Sequence, residues 1–155
     1  MGVGFKSQIA QALKTRIELV TIANGYTLDV ATVAYDKVRL NISDYANSEL
    51  PAVQILDQEK KFKHEMSRSK SEWKFVLELC LRTTPSMGVV DQETLWDFEE
   101  DVVRSIMKVP NLGLPFLQHV KVIDSITDLH LQQPNYVATI GIEILYYEPI
   151  TRDNC

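Results

Sequence analysis

The side chains best suited to proton transfer near neutral pH are the three histidines, His64, His119 and His130. They fall in a charged segment, at the end of a predicted loop and in a predicted strand, so local spacing does not bring them together. Asp128 and His130 share one face of that strand, where a nearby Ser or Thr would complete a catalytic set. Strand neighbours of this kind are far more often surface hydrogen-bonding groups, and we therefore expect no catalysis there.

The acidic run Glu99, Glu100 and Asp101 has side chains that suit a hard cation. Successive residues of a helix point in different directions, so these three carboxylates cannot converge on one ion. We expect a solvated helix face in which Glu100 pairs with Arg104 at i, i+4. The chain also lacks the P-loop, dinucleotide glycine, nucleophile-elbow, CxxC and HExxH patterns. The sequence thus predicts no catalytic, cofactor-binding or metal site.

Charge and cysteine content argue against two further classes of protein, those that bind duplex phosphates and those built on a disulfide framework. The chain has 21 acidic and 16 basic residues and a formal net charge of -5, which argues against a protein that grips duplex phosphates. Two cysteines, Cys80 and Cys155, are too few for a disulfide framework, so we predict free thiols in a reducing compartment. No apolar run approaches the ~20 residues of a membrane span. We expect one domain, made in the cytoplasm.

Regular elements must position these side chains. The longest regular pattern in the sequence runs from Ser71 to Thr84. Apolar and polar residues alternate there, which is typical of a long, half-buried strand. Its apolar face consists of Trp73, Phe75, Leu77, Leu79 and Leu81. The pattern predicts the central strand of a sheet, whose apolar face the remaining elements must cover.

Two segments have the spacing of amphipathic helices. The first spans about 19 residues and ends at Asn24-Gly25, a favourable C-terminal cap. Its apolar face consists of Phe5, Ile9, Leu13, Ile17 and Val20. The second runs from about Asp91, a favourable N-cap, to Lys108. The stripe that we expect to face the sheet consists of Leu95, Phe98, Val102, Ile106 and Val109.

A second apolar stripe on the later helix consists of Trp96, Val103 and Met107, with Glu99 and Glu100 at its edges. Two interpretations are open. The stripe packs under the loop from Pro110 to His119, or it forms an intersubunit surface, because exposed apolar patches with polar rims commonly mark interfaces.

Four further strands complete the predicted elements: Asp36–Ile42, Pro51–Leu56, and a closing hairpin of Val120–Leu131 and Tyr136–Tyr147. No internal repeat or linker divides the chain. The fold class is therefore α+β, with a mainly antiparallel, twisted sheet of about five strands packed against two amphipathic helices in the order α-β-β-β-α-β-β. We expect residues 148–155 to form a flexible C-terminal tail.

The connection from Asp57 to Glu72 carries five Lys or Arg residues, four acids and His64, and it is too long for an ordinary hairpin turn. Three interpretations are open: a solvated flexible loop, an extended hairpin arm that orders against a partner, or a nucleic-acid contact. The mixed charge favours protein partners over nucleic acid. For an arm, the candidate partner-binding residues, besides Trp96, Val103 and Met107, are Lys60, Lys61, Phe62, Lys63, His64, Met66 and Arg68.

Three short features accompany this order of elements: the segment Leu50-Pro51-Ala52-Val53-Gln54-Ile55, Pro134 in the closing turn, and Tyr146-Tyr147 at the end of the last strand. In element order and in these features the chain resembles the tail terminator, or tail completion, proteins of long-tailed bacteriophages, the family of the phage lambda gene U product. The resemblance covers nearly the whole chain and does not rest on a catalytic signature.

That resemblance implies a structural subunit with no enzymatic activity and no cofactor. Such subunits form a ring, expected to be a hexamer, on the head-proximal end of the tail, where the ring ends tube polymerisation. The implied partners are further copies of the chain, the tail tube protein, connector or neck proteins and, in a contractile tail, the sheath. DNA would pass through the lumen without sequence-specific binding. The expected location is the virion neck, after synthesis in the host cytoplasm.

Two alternatives stay open. Another neck component, such as a head-closure or adaptor protein, would share the ring architecture but bind on the portal side. A small enzyme or ligand-binding α+β domain would differ in having a deep pocket with converging polar groups.

Overall fold

The computed structural model describes residues 4–35, 38, 44–65, 68–84, 90–128 and 135–149. Two helices and five strands are formed: α1 (Phe5–Glu18), β1 (Thr32–Ala34), β2 (Ala52–Glu65), β3 (Arg68–Arg82), α2 (Gln92–Met107), β4 (Leu117–Asp128) and β5 (Asn135–Pro149). The strands form one sheet in the order β1-β2-β3-β5-β4. The β1–β2 pair is parallel and the other three pairs are antiparallel. The predicted α+β class and element order are confirmed.

The central strand β3 pairs with β5 along its whole length and, on the other side, with β2 from Arg68 to Cys80. Its predicted apolar residues are all buried, with Trp73 3% exposed and the other four fully buried. Those side chains join the buried faces of both helices in a single apolar cluster. The strand begins at Arg68, three residues before the predicted start, because pairing with both neighbours continues beyond the alternating pattern.

Helix α1 ends at Glu18, earlier than predicted. The Asn24-Gly25 signal belongs instead to a separate 3-10 turn, Ile22–Asn24, whose first turn is capped by the Thr21 hydroxyl. Gly25 ends that turn with a φ of 90°, a conformation that glycine adopts without steric cost. The cap was therefore correctly recognised but assigned to the wrong helix.

Helix α2 matches its prediction closely. The Asp91 side chain caps it by accepting a hydrogen bond of 2.9 Å from the Thr94 backbone N–H. The residues predicted to face the sheet are fully buried, apart from the half-buried Val109. Neither helix is long and apolar enough to cross a membrane, among the residues that the structure covers.

The strand predicted at Asp36–Ile42 lies outside the described residues except for Val38, which is exposed and not in a strand. The described strand in this part of the chain is β1, whose three residues pair with the start of β2. The closing hairpin is confirmed as β4 and β5, although its turn, residues 129–134, is not described. Strand β5 continues to Pro149, so the first two residues of the predicted flexible tail are part of the sheet.

A smaller apolar cluster covers part of the opposite face of the sheet and consists of Tyr45, Leu50, Ala52, Cys80 and Val137. The Tyr45 hydroxyl donates a 2.8 Å hydrogen bond to the Gln54 side-chain oxygen, and this satisfies both polar groups inside the cluster. Cys80 is a free, buried thiol, as predicted, and desolvation raises its pKa to about 11. Cys155 lies outside the described residues.

Replacing Phe75 with Ala is expected to lower the free energy of unfolding by about 3–5 kcal/mol, the usual cost of truncating a buried aromatic ring. The ring is fully buried and its centroid lies 4.6 Å from that of Trp73. Urea unfolding followed by circular dichroism measures the change. Lys74→Ala, on the opposite face of the same strand, is the control and should cost less than about 0.5 kcal/mol. Equal losses in the two variants would contradict the assigned faces of β3.

Candidate interaction surfaces

The charged segment predicted as a loop or arm is a regular antiparallel hairpin. Strands β2 and β3 stay paired out to Glu65 and Arg68, beyond which only residues 66 and 67 connect them. Strand β5 adds a third strand to it, because Arg68 pairs with Pro149 and Lys70 with Tyr147. The flexible-loop interpretation is therefore wrong for the described residues of this segment. The interpretation as an extended hairpin fits the observed pairing.

The base of the hairpin is tied to helix α1. A β-bulge places Gln58 outside the regular pairing, between Asp57 and Glu59. The Asp57 carboxylate accepts a 2.6 Å hydrogen bond from the Trp73 indole N–H and a 2.9 Å bond from the Lys6 ammonium. Partial burial acts to raise the pKa of Asp57, but these hydrogen bonds lower it, and the pKa lies below its usual value. The carboxylate thus links the start of α1 to the hairpin.

An aromatic cluster supports the middle of the hairpin. Tyr146 of β5 is fully buried, with its ring centroid 6.0 Å from Phe5 and 6.1 Å from Phe116. Ser71 lies between Tyr146 and Phe62 in the same cross-strand row. Phe62, in contrast, is 59% exposed. The helix-side face of the sheet therefore ends in an exposed aromatic ring on β2.

One basic residue, Lys60, lies beside that ring. The Lys60 ammonium lies 4.6 Å from the centroid of Phe62 and 5.3 Å from that of Tyr146. Such cation–aromatic contacts hold the lysine stem along the hairpin surface. Lys61 is exposed and its ammonium lies 3.8 Å from the Glu59 carboxylate. Of the other candidate residues, Lys63, His64 and Arg68 occupy paired positions near the end of the hairpin, and Met66 lies outside the described residues.

The second predicted surface lies on α2. Trp96 and Met107 are 46% and 45% exposed, so the prediction that they pack under the loop after α2 is wrong for these two residues. Val103 differs, because it is half-buried and packs against the main core. The three residues therefore form an incompletely covered stripe whose central member is anchored in the core.

Beside this stripe a groove of about 590 Å³ separates α2 from strands β4 and β5. Its apolar floor is formed by Val103, Val122 and Ile140, and acidic residues of α2 line its rim. A second β-bulge, between Val122 and Asp124, shapes the groove. Beyond the bulge Ser125, not an apolar residue, lies opposite Ile140, and its hydroxyl donates a 3.0 Å hydrogen bond to Glu99.

The bulge also changes the faces of β4. Asp124 and Ile126 are exposed, and Ile126 reaches 66% exposure. Ile123, at the bulge, is 47% exposed as well. Strand β4 forms one edge of the sheet among the described strands. Exposed apolar side chains therefore lie on this edge strand, at and just after the bulge.

The acidic run on α2 is divided between two roles. Asp101 is 1% exposed and accepts hydrogen bonds of 2.9 Å from the Thr27 backbone N–H and from Arg104. The prediction of a fully solvated run with a Glu100–Arg104 pair is therefore wrong, because Arg104 binds the buried carboxylate that needs compensation. Glu100 remains exposed. Within the described ranges, no three His, Cys, Asp or Glu side chains are grouped to hold a metal ion.

The histidines are not brought together by the described part of the fold. His119 is an exposed residue of β4, and His64 occupies a hairpin position in β2. His130 lies outside the described residues, directly after the end of β4 at Asp128. The relative position of Asp128 and His130 therefore lies outside what the structure describes.

Comparison with protein-family models finds no match, and comparison with curated protein sequences finds no significant similarity. The resemblance to tail terminator proteins therefore stays a prediction, and a functional proposal must be supported by the surfaces described above.

Replacing Asp57 with Asn should lower stability at pH 7 by about 0.5 kcal/mol, a small effect because solvent screens the partly exposed Lys6–Asp57 pair. The folded-state pKa of Asp57 is lowered, so its contribution is complete above the unfolded value of about 3.9 and is lost as pH falls through the folded value. The stability difference between wild type and variant should therefore shrink below about pH 4.

Thermal unfolding measured from pH 7 to pH 2 tests this dependence. Glu18→Gln, an exposed substitution at the other end of α1, serves as the control for the loss of one carboxylate from this part of the chain. A constant difference for Asp57→Asn across the same range would contradict the proposed role of the carboxylate.

Proposed function

We propose that this chain is the tail terminator of a long-tailed bacteriophage: a structural subunit that forms a ring on the head-proximal end of the tail tube and ends its polymerisation. The ring would form part of the head–tail junction, in contact with the tube protein and with connector or neck proteins. The proposal includes the sheath as a partner if the tail is contractile. It requires no catalysis and no cofactor.

The observation that carries the proposal is the presence of two dissimilar exposed surfaces on one small chain. The hairpin presents an exposed Phe62 with Lys60 beside it, whereas α2 presents Trp96 and Met107 beside an acidic groove. A ring subunit contacts one neighbour through one patch and the other neighbour through a different patch. The two surfaces support the proposal for this reason.

The charge of the chain supports a passage for DNA. A net charge of -5 disfavours binding to phosphates, so a ring of such subunits would let DNA slide through its lumen. The alternative of a head-closure or adaptor protein would use the same ring architecture, and position in the particle separates the two. The groove beside α2 is the observation that favours the ligand-binding alternative, since its size falls within the ~300–1,000 Å³ of ligand pockets.

Deleting the coding sequence of this chain from the genome that encodes it tests the proposal directly. Tail tubes should then grow to uncontrolled lengths and fail to join heads, because nothing ends their polymerisation. Electron microscopy of the particles measures tube length, and supplying the wild-type chain from a plasmid should restore uniform, head-attached tails. Normal tails without the chain would contradict the proposal, whereas tails of normal length that lack heads would favour the other neck roles.

Shortening the hairpin should leave the fold intact and weaken assembly. Phe62 and Ser71 lie directly opposite each other, so an Asn-Gly turn can join them in place of residues 63–70. We expect the melting temperature to fall by only a few degrees, because the residues removed lie beyond the main core. The shortened chain should not restore normal tails in the deletion strain.

The control for this variant keeps the full-length hairpin and carries only Ser67→Gly, so that it changes one connecting residue and none of the candidate partner-binding residues. It should restore tail length as the wild-type chain does. Full restoration by the shortened chain would show that the hairpin has no part in assembly.

A further inference from the structure

The distal end of the hairpin and helix α2 carry opposite charge. Residues 60–70 contain five Lys or Arg side chains and one carboxylate, whereas α2 contains five carboxylates and one Arg. Each surface also has an apolar centre: Phe62 on the hairpin, and Val103, Val122 and Ile140 on the floor of the groove. The two surfaces are thus complementary in both charge and polarity.

The acids of α2 at the groove differ in how far they are buried. Asp101 is buried and satisfied by Thr27 and Arg104, and Glu99 accepts a hydrogen bond from Ser125. Asp97 and Glu100 are exposed at the rim, one and four residues after Trp96 on the same helix. Trp96 therefore extends the apolar surface next to the acidic rim.

The hairpin of the same molecule cannot fill its own groove. Ile140 lies opposite Leu77, whereas the end of the hairpin lies where Arg68 pairs with Pro149. These two positions are nine residues apart along both strands, which corresponds to about 30 Å. Because the strands are paired over this distance, the hairpin points away from the groove and cannot fold back.

From this charge complementarity and separation we infer that the distal hairpin of one copy docks in the groove between α2 and strands β4 and β5 of the next copy. Phe62 enters over the apolar floor, and Lys60, which lies beside it on the same face of the hairpin, meets Asp97 and Glu100 at the rim. The inference deepens the proposed ring assembly and rests on it, since it names a second copy of the chain as the partner of both surfaces.

The contact is heterologous, because the donor and acceptor patches differ. Repeated head to tail, a heterologous contact produces a ring when its rotation closes. The groove volume of about 590 Å³ is sufficient for an aromatic side chain and its neighbours. Exposed charges contribute to the contact, so association should weaken as salt rises.

Paired charge reversals test the contact on the full chain. One variant reverses the hairpin at Phe62, Lys60→Glu with Lys61→Glu, and a second reverses the rim, Asp97→Lys with Glu100→Lys. A control, Glu18→Lys with Glu93→Lys, reverses two exposed acids that do not line the groove. Circular dichroism checks that each variant is folded. Sedimentation velocity measures association at 0.5 M salt and at a salt concentration about tenfold lower.

The wild-type chain and the control should form a multi-copy species that high salt weakens. Each reversal variant alone should associate at least tenfold more weakly, because like charges then face each other. An equimolar mixture of the two variants should regain association, since reversed hairpin meets reversed rim. Phe62→Ala should weaken association without changing its dependence on salt.

The inference is overturned if the two reversal variants associate as the wild type does, if their mixture stays monomeric, or if the wild-type chain is monomeric at every concentration. The measurement of tail length in the deletion strain tests the proposed function separately. If both reversal variants restore normal tails in the deletion strain, the docking contact is wrong and the terminator function stands. If deletion leaves tails normal, the function fails whatever the chain does in solution.

Discussion

The fold depends on the double pairing of β3. This strand is hydrogen-bonded on both sides, to β2 and to β5, and its alternating side chains direct five large apolar residues to one face. Both helices bury their apolar stripes against that face, and the smaller cluster around Cys80 covers part of the other. Because the ladders on either side continue past the core, the same strand that organises the core also holds the hairpin. Core and projecting surface are therefore parts of one continuous sheet.

Opposite charges are placed in different parts of this fold. By sequence the distal hairpin is basic and α2 is acidic, and the two are separated by the length of the ladders. Among the described residues, Asp57 holds Lys6 and Trp73 at the base of the hairpin, and Asp101 holds Thr27 and Arg104 beneath α2. The proposed docking of two copies uses this separation of charge.

The sequence predicted the elements whose pattern is local and strong. The alternation of β3 and β5 and the capped, amphipathic α2 were recognised because each face of these elements differs sharply in polarity. The paired hairpin was one of three open interpretations and could not be selected from the sequence, since charged residues occupy both of its faces and its pairing depends on β5, more than 70 residues away in the chain. The groove could not be predicted either, because a bulge in β4 shifts Ser125 to the inner face. Similarly, the burial of Asp101 follows from Thr27, which only the folded chain brings near.

The hydrogen bonds of antiparallel strands run perpendicular to the strand direction. A pull on the end of the hairpin along its strands moves β2 and β3 together and would therefore load the many bonds of the β3–β5 ladder in shear, all at once, and not one after another as in an unzipping hairpin. The third strand thus ties the projection to the rest of the sheet. The projection is thus built as a mechanical strut, suited to transmitting force between whatever holds its end and the core of the subunit.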